Sequence, residues 1–109
     1  MTVLIIGGAH QGKRRLAENL YPDLPKTENL HEIVREMLEE NRDPQSLPDE
    51  LRGRVITCDE IGCGIVPIDK TDRLWREMSG DACQYLAARA AKVCRVVCGI
   101  PMVLKGGEA

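Results

Sequence analysis

A lysine, two glycines and the residues between them carry the first chemistry in this chain. Gly7-Gly8-Ala9-His10-Gln11-Gly12-Lys13-Arg14 fits the pattern G-x-x-x-x-G-K, a loop that cradles phosphate. Gly7 and Gly12 let the backbone wrap tightly around an anion with its N–H groups turned inward, and Lys13 brings a point charge to the outer phosphates. A helix opening at Lys13 would add the positive end of its dipole. The next position departs from the pattern. Ser or Thr normally follows the lysine and offers a hydroxyl to Mg²⁺; Arg14 stands there instead, with no lone pair for a metal. Arginine does suit phosphate, so the residues favour phosphate binding and leave the use of Mg²⁺ open. The alternative is an ordinary strand–turn–helix in which the glycines serve only the turn.

A second group of candidates follows the run Val55-Ile56-Thr57-Cys58, which ends in the acids Asp59 and Glu60. An apolar strand closing on an acid is how many nucleotide enzymes hold Mg²⁺ through water, but two acids at a strand end also serve as turn or cap residues. After them comes Ile61-Gly62-Cys63-Gly64-Ile65-Val66-Pro67, a loop punctuated by glycines and a proline.

These side chains need elements to position them. Thr2 to Ile6 reads as a buried parallel strand. Residues 12–20 predict a short helix with Leu16, Ala17 and Leu20 on one face, ended by Tyr21-Pro22 and Pro25. Residues 29–41 predict a second, with the amphipathic stripe Leu30, Ile33, Val34, Met37 and Leu38. Asn29 with Glu32 has the form of a capping box, and the charged face opposite reads as solvated. Residues 42–53 read as a loop with one turn of helix near 48–52. Residues 71 or 72 to 91 predict the longest helix, burying Leu74, Trp75, Met78, Ala82, Leu86 and Ala90, with Gly80 in its interior at some cost. A last strand, Val93 to Ile100, leads through Pro101 to Met102-Val103-Leu104. Strands alternating with helices predict an α/β layer fold on a mostly parallel sheet, with ligands at the carboxyl ends of the strands.

Composition narrows the partners. At 109 residues the chain predicts one domain. A net charge of −2 with scattered Lys and Arg excludes a basic field for nucleic acid, and three aromatic residues provide no base-stacking surface. Five cysteines without C-x-x-C or zinc spacing read as reduced thiols in a small core. No run reaches membrane-spanning length, and a cytoplasmic location is the expectation.

Taken together, Asp59-Glu60-Ile61-Gly62-Cys63-Gly64-Ile65-Val66-Pro67 and the helix running from Asp72-Arg73 through Gly80, Gln84, Leu86, Ala87 and Ala88 resemble one family. It is the bifunctional adenosylcobinamide kinase/adenosylcobinamide-phosphate guanylyltransferase family of cobalamin biosynthesis, whose members carry N-E-V-G-x-G-I-V-P and a G-G-A-R-S-G-K-S loop. The resemblance covers residues 2–20 and 54–105. It implies a reduced P-loop NTPase-like three-layer sandwich, GTP or ATP as nucleotide, and a cobinamide-like acceptor. On this reading Lys13 and Glu60 are the catalytic candidates. Gly7 to Arg14 bind the nucleotide, and Asp59, Glu60, Gly62, Gly64, Pro67 and Arg73 form a substrate loop. The departures are Arg14 for Ser, His10 for Arg and Asp59 for Asn, together with the absence of the segment bearing the guanylylated histidine. His31 lies near that gap without the family's flanking residues, and no role is carried to it. The alternative is a nucleotide- or phosphate-binding accessory module that has lost both activities. The shortened sheet also predicts that the first strand lies at an exposed edge, covered by the 29–41 helix or by a second subunit in a homo-oligomer.

Overall fold

A computed structural model describes residues 1–61 and 69–107. The elements run β1 (Val3–Gly7), α1 (Lys13–Leu20), β2 (Lys26–Thr27), α2 (Leu30–Glu39), a 3₁₀ turn (Pro44–Ser46), α3 (Leu47–Glu50), β3 (Val55–Asp59), α4 (Lys70–Arg89), β4 (Lys92–Val97) and β5 (Ile100–Lys105). The five strands form one sheet in the order β2-β3-β1-β4-β5, parallel except for the antiparallel pair β4–β5. This is the expected α/β sandwich with a small, mostly parallel sheet.

Side-chain alternation along β1 divides the core. Val3 and Ile5 point to one face, where they meet Ala17 of α1, Val55 and Val96. Leu4 points to the other and joins Leu30, Val34 and Met37 of α2, Leu47 of α3, and Ala82 and Leu86 of α4. Each of these large aliphatic side chains contributes about 1.5–3 kcal/mol on burial, so both faces of β1 are committed. Of the stripe foreseen on α4, Trp75 and Met78 pack against this core, but Leu74 is exposed.

Three expectations are corrected. The first strand is internal rather than an edge: β3 pairs along one side and β4 along the other. Its apolar run is covered by sheet partners as well as by helices, so the reason for a covering subunit disappears. The edges are the two-residue β2 and the hairpin strand β5. The run Val93 to Ile100 is not one strand: it turns back at Cys98-Gly99, where both residues have positive φ (52° and 76°), as a two-residue hairpin of matching twist requires. Finally, Asn29 forms no side-chain cap. It adopts a left-handed conformation (φ 59°), and its backbone N–H donates instead to Thr57 Oγ1 at 3.1 Å. That bond ties the start of α2 to β3.

Among the described residues no helix is long and apolar enough to cross a membrane.

Candidate functional site

β1 delivers the chain to the carboxyl edge of the sheet at Gly7, and the loop that follows returns it into α1 at Lys13. The turn depends on backbone shapes that few residues tolerate. A Cβ on Gly7 would lie 2.7 Å from the carbonyl oxygen of Val96, and Gly12 has φ 94° with Gly99 Cα 3.3 Å from where its Cβ would be. His10 is also left-handed, at φ 60°. Gln11 braces the loop from outside. Its side-chain oxygen accepts the Cys98 N–H at 2.6 Å, and its backbone carbonyl accepts the Gly99 N–H at 2.8 Å. The tip of the β4–β5 hairpin is thus fastened to the loop.

Above the loop opens a cleft of about 880 Å³. Residues 9–13 form its floor, and Arg14, Arg15, Glu18 and Asn19 of α1 its near wall. Glu28 and Asn29 lie opposite, Thr57 and Asp59 close the inner end, and Cys98 and Gly99 complete the rim. Lys13 is buried, at 8% exposure, and its ammonium donates to the Gly8 carbonyl at 2.6 Å while pairing with Asp59 Oδ1 at 2.8 Å. Arg14 is exposed and reaches Glu18 and Glu28, at 3.3 and 3.2 Å. Loop amides, a helix N-terminus and cationic side chains converge on one space, and that arrangement suits a polyphosphate.

Asp59 is held from behind by His31. The Asp59 backbone N–H donates to His31 Nδ1 at 3.1 Å, which places the imidazole proton on Nε2; Nε2 lies 3.5 Å from Asp59 Oδ2. The histidine is buried on α2. Its backbone carbonyl accepts the Trp75 indole N–H at 2.6 Å, and Arg35 sits 5.1 Å over the Trp75 ring while pairing with Asp72 at 2.7 Å. Sequence reading passed over His31 because it sits in an amphipathic helix without a motif; only the β3 register brings it to Asp59.

The structure separates Glu60 from Lys13's cleft. Glu60 lies on the other side of the strand end, held by Arg95 through two bonds of 2.7 and 3.0 Å. It borders a smaller pocket of about 220 Å³ with Cys58, Arg76, Ser79 and Cys83. There the Cys58 thiol donates to the Asp59 carbonyl at 3.4 Å. Its interaction with Cys83, with burial second, pushes the Cys58 thiol well up, and the same interaction lowers Cys83. Arg73 is exposed on the first turns of α4 and borders neither pocket. Gly62, Gly64 and Pro67 lie outside the described residues.

With this geometry in place, the comparison with known proteins is decisive for the family. The model of the cobinamide kinase / cobinamide phosphate guanyltransferase family matches residues 28–104. The chain belongs to this family. The match takes in β3, Asp59, Glu60, α4 and the hairpin, and begins after the phosphate-type loop. The bifunctional adenosylcobalamin biosynthesis protein CobP of Pseudomonas aeruginosa is 40% identical over 58 residues, which make up 52% of this chain and 34% of that protein. The chain therefore matches about a third of the length of this relative. Within the family's P-loop NTPase-like fold, β1 and α1 supply the loop, and the matched region supplies the inner wall at Asp59 and the rim at Cys98 and Gly99.

Proposed function

We propose that the cleft binds the phosphates of GTP or ATP and that the protein serves cobalamin biosynthesis, transferring a phosphoryl group to a cobinamide-like acceptor. The observation that carries this reading is Lys13, buried at the floor of a phosphate-shaped loop and held ready by Gly8 and Asp59. A volume of about 880 Å³ accommodates a nucleotide, since ligand pockets commonly span roughly 300–1,000 Å³. Gly7 and Gly12 support it as well, because a Cβ at either would press on backbone behind the loop. Lys13 and the loop amides would neutralise charge on the transferring group.

One usual donor to a P-loop magnesium is replaced. Arg14 holds the position of the usual hydroxyl, and its guanidinium is cationic and has no lone pair to give. This same observation favours a second reading, an accessory module that binds nucleotide without turning it over. The two separate in a calorimetric titration of GTP and ATP, with and without Mg²⁺, into the protein and a Lys13→Ala variant. Binding that strengthens with Mg²⁺, is lost in the variant and is followed by turnover with cobinamide supports the enzyme. Metal-indifferent binding lost in the variant supports the module, and no heat with either nucleotide overturns both.

A further inference from the structure

We infer that His31 is a positioning residue that takes over the Asp59 carboxylate when Lys13 moves to a phosphate. The inference rests on the phosphate-binding reading of the cleft. The ammonium of Lys13 gives two of its three N–H donors to Gly8 and Asp59. A phosphate on the loop draws that ammonium toward itself, and Asp59 is left as an anion facing another anion at the inner end of the cleft, three-quarters buried. An uncompensated carboxylate there opposes the ligand. Lys13 from α1 and His31 from α2 face its carboxylate.

His31 is built for the exchange. Its Nδ1 already accepts the Asp59 N–H, so the ring is neutral and Nε2 carries the proton. That N–H donor lies 3.5 Å from Oδ2, a few tenths of an ångström beyond a hydrogen bond, and a small rotation of the carboxylate closes the gap. The ring cannot drift away. It is buried against Trp75, with ring centroids 6.4 Å apart, and the indole holds the His31 carbonyl. One face of Asp59 thus loses a charged partner as the other gains a charge-assisted hydrogen bond, and the carboxylate stays in place.

The test uses the full chain with histidine nitrogens labelled for NMR. In Lys13→Ala, which needs no nucleotide, the Nε2 proton of His31 becomes protected from exchange and couples through a hydrogen bond to Asp59. An Nε2 proton that exchanges as it does in the wild type overturns the inference. Added GTP brings the wild type to the same signature; if GTP leaves the loop resonances unmoved, the phosphate reading fails while the Lys13→Ala result still judges His31. A second variant separates positioning from mere support. His31→Asn places an oxygen where Nδ1 was, satisfying the Asp59 amide, but offers no donor at Nε2. It retains the wild-type melting temperature and binds GTP roughly tenfold more weakly, the loss of one charge-assisted bond. GTP affinity equal to the wild type in a folded His31→Asn protein also overturns the inference.

Discussion

Lys13 Nζ and Asp59 Oδ1 lie 2.8 Å apart, so the cation that a phosphate would recruit is already spent on a carboxylate. Replacing Asp59 with Asn removes the negative charge and leaves the ammonium two neutral oxygen acceptors, the amide oxygen and the Gly8 carbonyl. The expected result is GTP binding tighter by roughly three- to tenfold in calorimetry, because the ligand no longer competes with an internal anion. Stability falls by about 1–3 kcal/mol in urea titration, since Lys13 stays buried without an opposite charge beside it. Unchanged affinity would mean that Lys13 does not move toward the ligand.

Gln11 reaches across 87 residues to hold Cys98, and its side chain and main chain grip different amides. Gln11→Ala removes the first bond and keeps the second. Amide exchange at Cys98 accelerates while Gly99 keeps its protection, and global stability drops by about 0.5–1.5 kcal/mol.

Two glycines respond to alanine with opposite signs. At Gly7 the new methyl meets the Val96 backbone carbonyl at 2.7 Å, which no side-chain rotation relieves, so β1 and β4 must separate. Gly7→Ala costs about 2–3 kcal/mol or prevents folding. Gly80, inside α4, has open space where the methyl would sit. Gly80→Ala therefore raises stability by about 0.5–1 kcal/mol through helix propensity, seen as a higher melting temperature.

The acid limb of stability contains a contribution from Asp49, whose carboxyl is held below its ordinary value of 3.8, first by the hydrogen bond from Arg89 and then by that from Arg52. A depressed carboxyl stabilises the fold above its unfolded value and loses that contribution as pH falls through the folded one. Asp49→Asn should therefore differ from wild type at neutral pH, and the two denaturation profiles should converge as pH drops below 3.8. Because Asp49 is exposed the gap is small and shrinks in salt.

Much of this architecture is legible in the residues, and the failures have physical causes. β1, the glycine loop and α1 follow from the apolar run Val3 to Ile6, fixed glycine spacing and a lysine, signals local in the chain. β3 and α4 follow from an apolar run and helical periodicity in the same way. The β4–β5 turn escaped because Cys98 is not a turn-forming residue; Val93 to Ile100 is apolar on both sides of it, and only positive φ at Cys98 and Gly99 reveals the reversal. β1 looked like an edge because strand order is non-local: nothing in the residues of β4 says that they pair along the side of β1 away from β3. Asn29 and Glu32 have capping types, but Thr57 competes for the backbone there. Asp59 and Glu60 look equivalent as neighbours at a strand end. The pleat sends one toward Lys13 and the other to Arg95.

The grip of Gln11 on the hairpin tip also dictates a sequence of events during synthesis. The ribosome releases β1 and residues 7–14 before β3 and β4, yet β1 waits for both as its flanks, and the loop waits for Cys98 and Gly99 as its brace. With most of the sheet paired across long stretches of chain, closure is slow and comes late. The loop thus emerges well before its brace and becomes rigid only once the hairpin has followed it out.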